Sequence, residues 1–184
     1  MLFRSVEDVR PGRFDVAVAD SLGVPPGPER GALQRGEAVT LPGGRTISPG
    51  DVLGPARRGR TVVYSGDTAP SELLRAVAEG ADVLVHEATF GDDERQRAAE
   101  TMHSTAGQAA GLARDAGVRL LALTHISPRY FGPELLDEAR AIFPATVLPR
   151  DLDVVDVPLS ERGEPALVKG GALPARDDGR VRRT

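Results

Sequence analysis

Three short apolar runs, separated by segments of helical spacing, constrain the fold of this chain more than any other feature. They are TVVYS (61–65), DVLVHEATF (82–90) and RLLALTH (119–125). Each run is too short for a buried helix and is typical of a β-strand. The intervening segments, SELLRAVAEG (71–80) and residues 104–117, have the periodicity of helices. Strands that alternate with helices predict an α/β fold, in which helices cover a mostly parallel or mixed sheet.

Helix-start signals extend this pattern toward the C-terminus. Thr105, followed three residues later by Gln108, predicts a capping box at the start of the second helix. Pro133 predicts the start of another helix that runs to about Phe143, and VLPRDLDVVDVP (147–158) predicts one or two edge strands. The chain therefore continues the same alternation beyond its third strand.

Segments rich in Gly and Pro mark the remaining divisions of the 184-residue chain. We expect residues 1–160 to form one portion of a domain. Within it, residues 20–50 lack strong periodicity and are crowded with Gly and Pro. Such a stretch is either a plain surface loop or a functional, mobile segment. Residues 161–184 are polar and predict a disordered tail.

Charge and composition narrow the chemistry that the chain can perform. The net charge of −4 gives no general attraction for nucleic acid, although it is compatible with a local basic patch. The absence of cysteine excludes disulfides and thiolate metal sites, so any metal must be bound by His, Asp or Glu. No apolar run has the length of a membrane span, and we expect a cytoplasmic protein without a membrane partner.

Each of the three predicted strands ends in a polar cluster. The clusters contain Asp67, the pair His86 and Glu87, and His125. Ligands of open α/β sheets bind at the carboxyl ends of the strands. Two of the three histidines lie at these ends, and the third, His103, precedes a helix start. Imidazole and carboxylate groups in this arrangement predict a metal-hydrolase site for zinc or manganese.

Each of these residues also has an ordinary structural explanation. Asp67 could cap the helix that follows it, and His103 could be a polar residue of a helix start. His125 could be a core histidine with satisfied hydrogen bonds, and Glu87 could form a structural pair with His86. We favour the metal site because three strand ends carry such residues together.

The order and spacing of four motifs resemble the second half of ribonuclease Z, a tRNA 3′-processing endonuclease of the metallo-β-lactamase fold. The motifs are GDT (66–68), HEATF (86–90), HST (103–105) and THISPRY (124–130). PGRFD (11–15) and the Gly/Pro-rich segment upstream of GDT are similar to the matching part of that family. The resemblance covers about residues 10–145 and implies half of an αβ/βα sandwich. Residues 20–50 would then be the flexible arm that binds the tRNA body.

This resemblance implies a role for each candidate residue. Asp67 would bridge two metal ions, and His125 would bind one of them. His103 would transfer a proton near the scissile phosphate, with Glu87 holding its ring. Arg129 and Ser127 would contact substrate phosphate. His86 and Thr68 would orient the other groups of the site.

The implied protein is a zinc-dependent hydrolase that removes the 3′ trailer from precursor tRNA by metal-assisted phosphodiester hydrolysis. Two zinc ions would stabilise the attacking and leaving oxygens. The implied partners are precursor tRNA and a second copy of the chain in a homodimer. A different phosphodiesterase of the same fold and a non-catalytic RNA-binding or regulatory fragment are the alternative functions.

The main metal motif of the family, His-x-His-x-Asp-His, does not occur in this sequence, and neither does a further histidine expected before GDT. We therefore expect an N-terminally truncated chain that binds fewer than two zinc ions, is inactive alone and leaves one sheet face uncovered. Three explanations stay open: a start codon assigned too far downstream, a broken gene, or a half that pairs with a separate N-terminal half.

Overall fold

The computed structural model describes residues 2–171, which form two compact units. The smaller unit is Glu7–Gly59, and the larger unit combines the residues up to Val6 with those from Arg60 onward. In chain order the elements are β1 (Phe3–Val6), α1 (Val16–Ser21), α2 (Pro28–Gln34), β2 (Val39–Thr40), β3 (Thr46–Ile47), α3 (Pro49–Val52), β4 (Thr61–Tyr64), α4 (Glu72–Ala78), β5 (Val83–Glu87), a 3-10 turn (Asp92–Glu94), α5 (Arg95–Glu100), α6 (Ala106–Asp115), β6 (Leu120–Thr124), α7 (Gly132–Ile142), β7 (Thr146–Val147), β8 (Val154–Asp156), β9 (Ala166–Val168) and a second 3-10 turn (Lys169–Gly171).

A five-stranded sheet of order β1-β4-β5-β6-β7 forms the centre of the larger unit. β1 is antiparallel to β4, whereas β4, β5, β6 and β7 are parallel to their neighbours. The three strands predicted from the apolar runs are the three central strands of this sheet. The α/β class and the mixed sheet are thereby confirmed.

Helices α4, α6 and α7 cover one face of this sheet. Their buried side chains pack against four sheet residues with almost no exposed surface, namely Val63, Leu84, Leu121 and Leu123. The opposite face buries Val83, Leu120 and Ala122, with Val155 and Val157 from the β8 region packed against them. This second face was expected to be uncovered, but the chain covers part of it because the segment after β7 folds back and supplies two apolar side chains.

The predicted capping box starts α6. The Thr105 hydroxyl accepts from the Gln108 N–H at 3.1 Å, and the Gln108 side chain accepts from the Thr105 N–H at 2.9 Å. The predicted edge strands are both present, but only β7 joins the main sheet, since β8 pairs with β9. The local signals therefore identified the elements, whereas the partner of β8 depends on a distant segment.

The smaller unit contains regular structure where the sequence suggested a loop or a mobile arm. Helices α1, α2 and α3 and the β2–β3 hairpin surround a core of five buried residues, namely Ala19, Val24, Leu33, Ile47 and Val52. The same Gly and Pro residues that broke the periodicity are used as element starts and turns. Pro28 and Pro49 lie in the first turns of α2 and α3, and Gly43 and Gly44 adopt positive φ in the hairpin turn.

The predicted disordered tail is only partly within the described residues. Residues 161–171 include β9, which pairs with β8, so the expected disorder does not describe this part. Arg119 also binds the segment, since its guanidinium donates to the Gly163 carbonyl and the Glu164 carboxylate. Residues 172–184 lie outside the described residues. Among residues 2–171, none of the helices combines the length and apolarity needed to cross a bilayer.

Candidate functional site

The candidate site lies at the carboxyl ends of β4, β5 and β6. Asp67 follows β4, Glu87 ends β5, and His125 follows β6. His103 comes from the loop between α5 and α6, and its ring stacks on that of His125 with a centroid separation of 5.2 Å. The Asp67 Oδ1 atom lies 3.6 Å from the His125 Nδ1 atom. Four residues that were singled out in the sequence are therefore neighbours in the structure.

The Glu87 carboxylate is fully buried and is the acceptor around which the site is built. Its Oε1 atom accepts from the Thr68 N–H and from His103 Nδ1, each at 2.8 Å. Its Oε2 atom accepts from the Thr89 N–H at 3.1 Å and from the Thr89 hydroxyl at 2.7 Å. Burial by itself would raise the pKa of this carboxyl, but the hydrogen bonds from Thr89, Thr68 and His103 outweigh it and lower the pKa. Glu87 is therefore an ionised orienting group at neutral pH.

Thr89 contacts three of the site residues that were predicted from the sequence. Besides Glu87, its hydroxyl lies 2.8 Å from His125 Nδ1 and 3.1 Å from His103 Nδ1. No role for Thr89 was expected from the sequence. The signal that could have identified it is its position two residues after Glu87, because alternate residues of an extended segment point to the same side.

Hydrogen bonds to backbone carbonyl groups connect the site loops to one another. The Ser104 hydroxyl donates to the Thr68 carbonyl at 2.7 Å, which ties the HST loop to the GDT loop. The Ser127 N–H donates to the Thr89 carbonyl at 3.2 Å, which ties the loop after β6 to the loop after β5. The four motifs are thus held as one assembly by contacts that sequence motifs do not display.

Two residues of the site loops adopt backbone conformations that are uncommon for side chains. His125 has a φ of 55°, and Met102, next to His103, has a φ of 59°. Left-handed conformations of residues other than Gly cost free energy and cluster at functional sites. At His125 the turn directs the ring away from the course of β6 and toward Thr89 and Asp67.

His86 lies apart from the other two histidines. It is 1% exposed and follows the alternation of β5 onto the face that Leu84 shares with the helices. Its Nδ1 atom lies 2.6 Å from the Glu87 carbonyl, and its Nε2 atom has no hydrogen-bond partner among residues 2–171. Burial lowers the pKa of this imidazole, so the ring is neutral at pH 7. The hydrogen bond of His86 therefore involves the Glu87 carbonyl group and neither of the two site histidines.

The two predicted substrate-binding residues lie on the loop between β6 and α7. The Arg129 side chain is 52% exposed and forms an ion pair with Glu94, with 3.7 Å between Nη1 and Oε2. The Ser127 hydroxyl accepts a long hydrogen bond of 3.5 Å from the Arg129 N–H. The neighbouring Tyr130 donates its hydroxyl to Asp93 at 3.1 Å. This loop is therefore joined to the acidic turn that follows β5.

The imidazole and carboxylate groups of the site are the kinds of ligand that zinc binds, but there are too few of them for a complete site. Glu87, His103 and His125 offer ligand atoms within 4.8 Å of one another. Glu87 is nevertheless a poor ligand, because its carboxylate accepts hydrogen bonds from Thr68, Thr89 and His103, and these donors would lose their acceptor. Asp67 and His125 are the better pair, since both are exposed and lie next to each other, with 3.6 Å between Asp67 Oδ1 and the inner ring nitrogen of His125, Nδ1. A catalytic zinc usually has three protein ligands, so the described residues supply a partial set.

The parallel strands β4, β5 and β6 thus have imidazole and carboxylate groups near their carboxyl ends, a donor set of the kind that metal-dependent hydrolases use. Residues 12–126 match the family model described as the β-lactamase superfamily domain. The matched residues are more than half of the chain. The chain belongs to the metallo-β-lactamase superfamily.

Within this superfamily the chain is similar to curated proteins named ribonuclease Z. It is 54% identical over 159 residues to the one from Myxococcus xanthus and 48% identical over 162 residues to the one from Crocosphaera subtropica. In both cases the match covers 85% of this chain and 52% of the relative. The chain thus spans about half the length of these relatives, and the resemblance inferred from the four motifs is confirmed.

Among solved structures, human tRNase Z, short form (ELAC1), is 26% identical, with a TM-score of 0.44 over 61% of this chain and 36% of that one. This superposition is partial, and the family assignment rests on the sequence matches.

Proposed function

We propose that this chain carries the proton-transfer and part of the metal-binding machinery of a tRNA 3′-processing endoribonuclease, which removes the 3′ trailer from precursor tRNA by phosphodiester hydrolysis. The observation that carries the proposal is the position of the His103 ring between the buried Glu87 carboxylate and the adjacent His125 and Asp67. The similarity to proteins named ribonuclease Z supports this choice of substrate.

Zinc is the proposed metal, as two ions in the complete enzyme, with Asp67 and His125 as ligands from this chain. When bound, the metal would supply Lewis-acid activation of water and stabilisation of charge on the reacting phosphate. Only His103 could add a third ligand from the site described above, through its Nε2 atom. We therefore propose that this chain by itself binds fewer than two zinc ions.

His103 is proposed to move a proton at its Nε2 atom. Its Nδ1 atom is held by Glu87, so Nε2 is the nitrogen that can face a substrate. The Glu87 carboxylate would stabilise the imidazolium that forms when the ring accepts a proton. The ring is 22% exposed, which leaves it accessible from one side. His103 can therefore protonate the leaving oxygen of the scissile phosphodiester.

Arg129 and Ser127 are proposed to contact phosphate groups of the RNA. The guanidinium of Arg129 is half exposed, and a phosphate would compete with Glu94 for it. A planar guanidinium binds a phosphate through two parallel hydrogen bonds, which a single carboxylate at 3.7 Å does not match here. The acidic partner would then keep this arginine in place until substrate arrives.

The substrate, the tRNA-binding arm, the partners and the location are proposals as well. We propose precursor tRNA as the substrate, with Glu7–Gly59 containing the arm that binds the tRNA body. A homodimer, a separate N-terminal half as a partner and a cytoplasmic location remain predictions.

The proposal can be tested with a chimera in which this chain replaces the matched half of the Myxococcus xanthus relative. We expect the chimera to remove the 3′ trailer from precursor tRNA in the presence of zinc. His103→Ala should keep the zinc content and lower kcat by roughly 10²–10⁴-fold, the usual effect of losing a general acid or base. His125→Ala should lose zinc and activity together. Glu87→Ala should give a milder form of the His103 defect.

Thr101→Ala is the matched control, because Thr101 lies two residues before His103, is exposed, and donates its hydroxyl to the Arg97 carbonyl without contacting either site ring. This variant should cleave at the rate of the unchanged chimera. Loss of zinc in His103→Ala would show that His103 is a ligand, and cleavage at full rate would show that it has only a structural role. A chimera that binds tRNA without cleaving it would favour the RNA-binding alternative. Cleavage of small phosphodiesters alone would favour a different hydrolase of the same fold.

A further inference from the structure

Within the described part of the chain, the Thr89 hydroxyl alone contacts His103, His125 and the Glu87 carboxylate. We propose that Thr89 is a positioning residue that fixes the tautomers of His103 and His125, so that each ring presents Nε2 to the reacting groups. This inference rests on the proposed function for its purpose, but its test does not require catalytic activity.

The Thr89 hydroxyl has more hydrogen-bonding neighbours than protons to donate. A threonine hydroxyl has one proton to donate and two lone pairs that accept. Its oxygen has three neighbours, which are Glu87 Oε2 at 2.7 Å, His125 Nδ1 at 2.8 Å and His103 Nδ1 at 3.1 Å. An ionised carboxylate can only accept, and hydrogen bonds to it are stronger than those between neutral groups. The hydroxyl proton therefore goes to Glu87.

Both lone pairs of Thr89 then face ring nitrogens, which must donate. The His125 Nδ1–H donates to the Thr89 oxygen at 2.8 Å. The His103 Nδ1–H donates mainly to Glu87 Oε1 at 2.8 Å and makes a longer second contact with Thr89. In a neutral imidazole the other nitrogen has a free lone pair, so Nε2 of each ring is available.

The two histidines are nevertheless not equally dependent on Thr89. His103 keeps its direct bond to Glu87 if the hydroxyl is removed, whereas the described residues give His125 Nδ1 no other hydrogen bond. The nearest alternative is Asp67 Oδ1 at 3.6 Å, which is too far for one. Thr89 therefore connects the buried charge of Glu87 to His125, and its loss should affect His125 first.

The test uses the chain itself, labelled with ¹⁵N in its histidine rings and free of metal. It has three histidines, so each ring can be assigned by comparison with single His→Ala variants. We expect the neutral rings of His103 and His125 to be protonated at Nδ1 in the unchanged chain. Thr89→Val removes the hydroxyl at nearly constant shape. In this variant His125 should populate the Nε2–H tautomer, while His103 should remain protonated at Nδ1.

Two further variants control the experiment. Thr89→Ser retains a hydroxyl and should restore the tautomer of His125. Thr101→Val makes the same substitution two residues from His103, where the hydroxyl donates to the Arg97 carbonyl and contacts neither ring. It should leave both tautomers unchanged. Competition with a chromophoric chelator should show about 10–100-fold weaker zinc binding by Thr89→Val than by Thr101→Val, the usual effect of losing a group that orients a ligand.

An unchanged His125 tautomer in folded Thr89→Val would overturn the inference, as would a failure of Thr89→Ser to restore the tautomer. If Thr89→Val does not fold, the comparison of Thr89→Ser with Thr89→Ala decides the question in the same way. The expected tautomers in a chain whose chimera does not cleave tRNA would support this inference and reject only the proposed function.

Discussion

At the scale of single residues, the three histidines lie in three different environments. His125 is 46% exposed beside Asp67, as a metal ligand would be, and His103 contacts a buried carboxylate, as a proton-transfer group would. His86 is buried, and none of residues 2–171 forms a hydrogen bond with its Nε2 atom. The first two depend on polar partners at the site, whereas His86 is tolerated in the core only as a neutral ring.

The lowered pKa of His86 predicts a loss of stability in mild acid. The unfolded chain binds a proton at His86 as the pH falls through about 6.5, whereas the folded chain, with its lower pKa, does not. The free energy of unfolding should therefore fall below that pH, by at most about 1.4 kcal/mol per pH unit from this residue. Glu87, the charged neighbour of this ring, has a lowered pKa and titrates at more acidic pH.

Urea denaturation of the chain and of His86→Asn, at several pH values between about 5 and 7.5, isolates this effect because the other titrating groups are common to both. The variant should be less stable at neutral pH, and the difference between the two proteins should shrink as the pH falls. A difference independent of pH would contradict the prediction.

At the scale of single elements, the start of α6 shows how a helix is attached to the site. Glu138 on α7 accepts from the Gly107 N–H at 2.9 Å and from the Asp92 N–H at 3.1 Å, so it joins three segments. The Asp92 side chain in turn accepts from the Thr105 hydroxyl. This network fixes the residues that directly follow His103 in the chain. The position of the ring therefore depends on α7 as well as on its own loop.

Two glycines of α6 should respond oppositely to the same substitution. At Gly111 an added Cβ meets nothing within 4 Å, so Gly111→Ala should stabilise the chain by about 0.5–1 kcal/mol through helix propensity. At Gly107 the added Cβ would lie 2.6 Å from Asp92 Oδ2. Gly107→Ala should lose that gain, and about 1 kcal/mol more, as Asp92 moves away from Thr105. Urea denaturation of both variants measures the difference, and equal stabilisation would show that Asp92 moves without cost.

At the scale of the whole molecule, each of the two units has a core of its own. Leu33 is fully buried in the core of Glu7–Gly59, and Leu84 and Leu121 are fully buried in that of the larger unit. Cooperative unfolding often follows such divisions, because each unit loses its own buried contacts. The unit that contains the Gly/Pro-rich segment is therefore a folded body with its own stability.

Leu33→Ala should destabilise Glu7–Gly59 selectively. Removal of a buried leucine side chain costs about 2–5 kcal/mol, which predicts amide exchange at least about 30-fold faster in α1, α2 and α3. Amides of β5 and β6 should change much less. Hydrogen exchange read by NMR or mass spectrometry gives this comparison, and Leu73→Ala, at a leucine that is 69% exposed, is the control substitution. Uniform acceleration in both units would show that they unfold together.

The sequence by itself determined the elements and the polar residues that lie at the strand ends. Apolar runs, the Thr105–Gln108 capping box and Pro133 are local signals, because each depends on residues a few positions apart. Asp67, Glu87 and His125 were identified in the same way, since each ends an apolar run.

Only the tertiary structure decided which groups meet. The resemblance already implied that Glu87 holds the His103 ring, and the structure contains this bond. The contact of the Thr89 hydroxyl with both rings joins segments that are distant in sequence, and no motif indicated it. The core of Glu7–Gly59 was missed for the same reason, because Val24, Leu33 and Ile47 form no periodic pattern and are brought together by turns at Gly and Pro. Periodicity reports which face of an element is apolar, whereas hydrogen bonds between loops depend on the arrangement of the whole sheet.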